Sequence, residues 1–319
     1  MMAFTRIWRG CSSPLENRYP MPIPVAFLSI ILIWSTTPLA IQWSTQGTGF
    51  AFAVLARMLI GIVVATLLLV VWSIGLPWHS RARRAYLVGG IGTFGAMLLT
   101  YWGARYVHSG LISVLFGLTP LITGILAAVW LGERSLTGAR ILGTLLGAAG
   151  LALIFVHGDS LGDEHAVAGL LALLAAVFIY SGSLVWLKQI DDDSPPVATT
   201  VGTLAVSLPL FALAWWLTDG QLPAAMPPRS AAAIVYLGVF GSVIGFSLYY
   251  YVIKHSEASK VALITLVTPV LALLLGNLIN GESIGLRLLL GAGLIMLGLI
   301  VHQWESLLPM WRGARAAYR

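Results

Sequence analysis

One arginine set in a long apolar run is the first residue whose type and setting could do chemistry. Arg57 stands in "LARMLIG", about seven positions into a stretch that carries no other charge and is long enough to cross a bilayer. A guanidinium there must face the interior of a bundle or a watery cavity. In that place it attracts a carboxylate or phosphate, or it snorkels toward the outer interface and only holds the bundle together. The second candidate is a repeated dipeptide. "LTPLITGILAAVWLGE" at Leu118–Glu133 returns as "VTPVLALLLGNLINGE" at Val267–Glu282, and residues 89–133 align on 238–282 without a gap. Thr119-Pro120 falls on Thr268-Pro269, Tyr101 on Tyr250, Arg105 on Lys254 and Gly132-Glu133 on Gly281-Glu282. A register held that long marks a duplicated unit.

The elements that carry these residues follow from composition. The 319 residues are 58% hydrophobic and 9% charged, too little polar surface to cover a soluble globule of this size, so the chain is an integral membrane protein. The net charge of +6 is no nucleic-acid footprint, because the basic residues are scattered between apolar segments. The single cysteine, Cys11, excludes an internal disulfide and a cysteine metal site. Ten apolar stretches of spanning length occur near 22–43, 50–75, 84–104, 109–131, 139–157, 166–187, 197–217, 230–252, 259–280 and 285–303. Polar or Gly- and Pro-rich breaks such as "LPWHSRARR", "HGDSLGDEHA" and "KQIDDDSPP" separate them. The first run is too long for a signal peptide and reads as a retained span.

Of the 18 Lys and Arg residues, only Arg57, Arg105, Arg229 and Arg287 lie within or near the outer side if both termini are cytoplasmic, and the 158–165 loop outside is acidic. Five spans per repeat then force the second repeat to enter the membrane from the opposite side. The expected fold is an all-α membrane protein of ten transmembrane helices in two inverted-topology five-helix repeats. A cytoplasmic segment 1–21 precedes the first repeat (22–158), and a basic cytoplasmic tail 305–319 follows the second (159–304). Pro120 and Pro269 then meet near the bilayer midplane, each freeing a carbonyl four residues back, at Phe116 and Thr265. Paired broken helices in matching places of two halves point to a transport site and a hinge; the plainer reading of each is a packing kink. Glu133 and Glu282 fall at opposite surfaces, as caps or interface anchors, with proton coupling the lesser reading. Small residues in "GGIGTFGA", "GTLLGAAG" and "GVFGSVIG" permit close helix approach.

Thr-Pro in the fourth and ninth spans, a Gly-Glu ending each, glycine-rich spans after them and "LARMLIG" in the second span together resemble the EamA family of the drug/metabolite transporter superfamily, over about 24–156 and 167–303. The resemblance implies a secondary transporter that moves a small organic metabolite, an amino acid or related compound, outward by alternating access through a cavity between the halves. It assigns the first, third, fourth, sixth, eighth and ninth spans to the cavity wall. With Arg57 of the second span added for its intramembrane charge, the cavity candidates are Trp34, Tyr101, Trp102, Thr119, Pro120, Tyr180, Tyr249, Tyr250, Thr268 and Pro269, with Trp186 beside them; core packing is an equal reading of each ring. The departure from the pattern is the second half's lack of an arginine in its seventh span. Trp72, Trp78, Trp130, Trp215, Trp216 and Trp304, near span ends, read as an interfacial belt.

Two rival classes stand against this. Asp191-Asp192-Asp193 resembles the magnesium-diphosphate motif of membrane prenyltransferases, but a second aspartate-rich motif is missing and the run precedes Ser-Pro-Pro in a loop, so a solvated charge run is the better reading. A structural or receptor protein is the other. The sequence has no Gly-Lys-Ser/Thr of a P-loop. The expectation is no catalytic residue, metal or cofactor; the partners are a small-molecule substrate, the lipid bilayer of a bacterial inner membrane and a coupled proton or counter-solute, with no nucleic acid.

Overall fold

The computed structural model describes residues 22–132, 137–155, 165–218, 220–256 and 258–304, and these form helices joined by short turns with no strand among them. In order they are α1 (Ile23–Thr45), α2 (Phe50–Val71), α3 (Ser80–Gly103), α4 (Ser109–Phe116), α5 (Thr119–Leu131), α6 (Gly138–Phe155), α7 (Ala166–Ile190), α8 (Pro196–Thr218), α9 (Pro228–Tyr236), a π-helical segment (Leu237–Ile244), α10 (Gly245–His255), α11 (Ala258–Asn280) and α12 (Leu286–His302). Eight stretches are long and apolar enough to cross a membrane, taking α4 with α5 as one and α9 through Tyr249 as one, while Gly138–Ile154 and Leu286–His302 are shorter apolar helices. The segments 1–21 and 305–319, most of the 158–165 loop and Glu133 lie outside the described residues.

The Gly-Glu copies stop their helices in the same way. Gly132 and Gly281 take φ of 63° and 64°, the left-handed conformation that ends a helix and that glycine enters without a Cβ clash. The Thr-Pro copies behave differently, and here the expectation of two interior prolines needs correction. Pro120 sits in the first turn of α5, and the break precedes it at Gly117-Leu118, where Leu118 N–H donates to Leu115 O at 2.9 Å in a tightened turn. Pro120 has no N–H for the Phe116 carbonyl and its ring crowds that carbonyl, so the chain ends one helix and starts another, a position proline tolerates well. Pro269 lies inside an uninterrupted α11.

Packing joins helices from the two ends of the sequence. The most extensive interfaces are α6 with α12, α3 with α7 and α8, α2 with α8 and the π segment, α1 with α9, α10 and α11, α4 with α11, and α5 with α7. Glycines make the closest of these possible, as the small-residue stretches lead one to expect. A Cβ on Gly143 would come within 2.5 Å of Gly298 O, one on Gly150 within 2.5 Å of Gly291 O, and one on Gly110 within 2.6 Å of the Leu273 Cα. The opposite faces are apolar and uncovered. Leu59, Val63, Leu67 and Val70 form an exposed stripe along α2, suited to acyl chains and to nothing aqueous.

Candidate functional site

Arg57 projects from α2 into the place where α1, α3 and the π segment converge, and only 5% of it is exposed. Its Nε donates to Ser242 Oγ at 3.0 Å and its Nη1 to Tyr101 Oη at 3.4 Å, with the guanidinium carbon 6.0 Å from the Tyr101 ring centre. Ser242 passes the bond on, donating to Leu237 O at 3.0 Å, five residues back, as π-helical winding allows. Nη2 lies against Gly241, where a Cβ would be 3.4 Å away, and Thr37 Oγ1 of α1 is 3.7 Å from the same point. Glycine at 238 lets the segment sit on α2 itself: a Cβ there would meet Ile60 Cγ2 at 2.6 Å and Arg57 O at 3.1 Å.

Among the described residues no carboxylate lies within ion-pair distance of Arg57. Its side chain therefore spends two of a guanidinium's five N–H donors on neutral hydroxyls. Removing such a charge from water costs several kcal/mol, which an anion placed against the remaining donors would offset.

The structure gathers some of the expected cavity residues and disperses others. One helical turn from Thr37 and Gly241, Trp34 meets Tyr249 at a tilt, ring centres 4.8 Å apart, and Phe246 edge-on at 5.9 Å, so α1 and α10 present an aromatic group beside the Arg57 site. Tyr101 is fully buried. Trp102, its neighbour, turns away toward the chain end of α3, where it meets Tyr106 at 5.0 Å and Arg105. Trp186 is 57% exposed and faces outward, because apolar rings in a lipid-facing position lose nothing there. Tyr180 packs on Phe116 at 6.2 Å. Thr268 and Pro269 are buried, and Gly117 at the break of the fourth span lies against Pro269, a Cβ there being 3.7 Å from its Cγ. Thr119 Oγ1, at the start of α5, is buried without a hydrogen-bond partner. The Tyr250 side chain lies outside the described residues.

The aspartate run is not uniformly solvated. Asp191 and Asp193 are exposed, but the Asp192 side chain is 6% exposed and its Oδ1 is 3.6 Å from His79 Nε2. His79 Nδ1 meanwhile accepts from Ala82 N–H and caps α3, which leaves Nε2 to carry the proton toward Asp192. Of the belt tryptophans, Trp78, Trp130, Trp216 and Trp304 are exposed, whereas Trp215 packs inward on Phe52. Among the described residues no group of three or more His, Cys, Asp or Glu side chains is placed to hold a metal ion.

Sequence comparison decides what such a bundle is. Residues 21–156 and 167–302 each match the EamA-like transporter family. The chain belongs to that family. An uncharacterized transporter of Archaeoglobus fulgidus is 26% identical over 277 residues, 85% of this chain and 95% of the relative. A probable terminal-alkyne amino-acid exporter of Streptantibioticus cattleyicolor is 29% identical over 287 residues, 88% and 93%. A solved crystal structure covering 89% of the chain superposes with a TM-score of 0.62 at 24% identity, a likeness of fold. This EamA family member is an integral membrane transporter of the drug/metabolite type, and proteins so named carry small molecules rather than transform them.

Proposed function

We propose that this transporter is a ten-span exporter of a small carboxylate-bearing metabolite, an amino acid or a close relative, in a bacterial plasma membrane, working by alternating access between two inverted five-helix repeats at 22–158 and 159–304. The observation that carries the reading is Arg57: a buried guanidinium with no carboxylate within ion-pair distance among the described residues, beside a Trp34–Tyr249–Phe246 group. A carboxylate would sit on the free guanidinium N–H groups, and an apolar side chain on the rings. The name of the S. cattleyicolor relative points to the same solute class.

Helix packing supports the inverted repeat. If each span is exchanged for the one five places along, α3 with α7 becomes α9–α10 with α1, α3 with α8 becomes α9–α10 with α2, and α1 with α11 becomes α7 with α4–α5; all of these are interfaces of the molecule. The pairs α6 with α12, α2 with α8 and α4–α5 with α11 map on themselves. A two-fold axis in the membrane plane produces this pattern, and with it a site shared by the halves. Gly117 against Pro269 belongs to the self-mapping interface of α4–α5 with α11, the place where a hinge at Pro120 and Pro269 would work.

The test is transport by purified protein in liposomes, using a panel of amino acids and the amine formed by decarboxylating each. Amino acids should cross and their amines should not, and Arg57→Leu should abolish the difference. Equal passage of acid and amine through the parent protein would overturn the assignment.

A further inference from the structure

One face of the π segment and α10 begins with two positions that carry no side chain. Gly241, Gly245 and Tyr249 recur at four-residue spacing, so they follow one another along that face about 5–6 Å apart. Over the first glycine lies the guanidinium: a Cβ at Gly241 would be 3.4 Å from Arg57 Nη2. Over the second lies an indole: a Cβ at Gly245 would be 3.1 Å from Trp34 Nε1. The Trp34 ring continues to the third, its centre 4.8 Å from that of Tyr249. Two N–H donors, from α2 and α1, thus reach neighbouring points of a bare stretch of backbone, and neither is used up. Arg57 bonds through Nε and Nη1, and among the described residues nothing accepts from Nη2 or from Trp34 Nε1. Close packing does not account for the first glycine. At Gly143 or Gly150 a Cβ would strike backbone at 2.5 Å, whereas at Gly241 it would meet nothing nearer than 3.4 Å. Glycine also weakens a helix relative to alanine. What alanine would do at 241 is cover the guanidinium.

We propose that Trp34 is the second anion-binding residue of the transport site: the solute carboxylate lies across Gly241 and Gly245, one oxygen on Arg57 Nη2 and the other on Trp34 Nε1. The inference rests on the carboxylate reading of Arg57 and adds the group that orients the head of the solute. An arginine with its fork free holds both oxygens of a carboxylate by itself. Here Nε is on Ser242 and Nη1 on Tyr101, so Nη2 is the nitrogen left to meet an oxygen, and the second oxygen takes its donor from α1. A hydrogen bond of about 2.9 Å on each side of a planar carboxylate suits donors held one turn apart. The indole nitrogen donates and cannot accept, so it selects against an amine in the same place. Being uncharged, it adds direction without burying a second cation. The same ring is packed by Phe246 and Tyr249, so it contacts the head of the solute at its nitrogen and sits among the rings that take the apolar part. The two donors belong to the first half of the chain and the glycine face to the second. The bound head group therefore touches both halves.

Calorimetric titration of the purified full-length protein in detergent, with phenylacetate and with the neutral phenylacetamide, reads the site without transport. The parent should bind phenylacetate the more tightly. Trp34→Phe keeps a ring and removes the N–H; its affinity for phenylacetate should fall about tenfold, and that for phenylacetamide by less than about threefold. Gly241→Ala should unfold at or above the parent's temperature, since no contact forbids the methyl, yet should bind phenylacetate several-fold more weakly. That variant secures the test if Trp34→Phe does not fold. Parental phenylacetate affinity in Trp34→Phe or in Gly241→Ala, with Arg57→Leu impaired, would overturn the second donor and leave the Arg57 assignment standing. Equal losses for phenylacetate and phenylacetamide in Trp34→Phe would overturn it too, by reducing the indole to a packing ring. A parent that does not prefer phenylacetate would overturn both readings.

Discussion

Two helix crossings in this molecule are assembled alike, and only one holds a charge. Where α2 crosses the π segment, Gly238 lies on the carbonyl of Arg57 and the side chain of Ile60; where α8 crosses α3, Gly90 lies on the carbonyl of Thr203 and the side chain of Val206. Thr203 thus occupies in one crossing the place of Arg57 in the other. The helix facing Thr203 is regular α-helix, and the helix facing Arg57 is wound as a π-helix. A threonine needs no room beyond its own turn. A guanidinium needs acceptors at its own depth, and the wider winding supplies one by letting Ser242 reach Leu237 O and turn its oxygen to Arg57 Nε. The lesson is that the departure from regular geometry, a habit of functional positions, stands at the crossing that holds the charge. The Thr-Pro copies diverge as well. Glycine three residues before Pro120 lets the chain break, while Leu266, three before Pro269, keeps α11 whole.

The comparison can be broken most severely by moving the charge. Thr203→Arg would bury a guanidinium against a regular α3 with no widened turn to receive it, at a cost of several kcal/mol, and folded protein recovered from membranes should fall to a small fraction of the parent's. Normal yield would show that the winding of the π segment owes nothing to Arg57. Next in size, Arg57→Leu should fold and should lose roughly 2–5 kcal/mol of transition-state binding for a carboxylate solute, a fall of about 30-fold or more in transport kcat/KM. A smaller effect is expected from Gly238→Ala and Gly90→Ala. Each Cβ meets a neighbour at about 2.5 Å, so thermal unfolding should report a loss of roughly 1–3 kcal/mol for both, but transport should suffer only in Gly238→Ala, whose methyl presses on the backbone of Arg57. Smallest is the proline pair. Pro269→Ala returns a donor to the middle of α11 and should raise stability while slowing transport; Pro120→Ala, in a first turn that had no use for the donor, should change stability by only a few tenths of a kcal/mol. Equal stabilisation by both would mean that the Gly117 break is not a property of the glycine.

Much of this architecture is legible in the amino-acid sequence, and the parts that are not share a physical cause. Hydropathy places each apolar helix within a few residues, eight of them of spanning length, because length and apolarity are what the bilayer demands. Arg57 stands out because a charge in an apolar run is costly whatever surrounds it. The inward face of each helix is harder to read. Lipid is as apolar as a bundle core, so Tyr101 and Trp102 look equivalent in sequence although a helical step of about 100° sends one to the guanidinium and the other to the chain end. The π segment is hidden for the same reason, since "LGVFGSVI" has the composition of any spanning turn. Ser242 is the available clue, a hydroxyl at the depth of the arginine. Asp192 carries no such mark, because burial in a turn depends on where the partner loop with His79 arrives.

The glycine seams between early and late helices bear on how the protein comes into being. The ribosome delivers α1 to α6 first, yet the backbones that Gly143 and Gly150 fit belong to α12, and the groove beside Gly90 and Gly92 waits for α7 and α8. Until translation is nearly complete, these faces rest against lipid or the insertion machinery. Insertion of the helices and their assembly are therefore separate events in time, and a chain cut short after α6 would be threaded through the membrane with most of its mates never made.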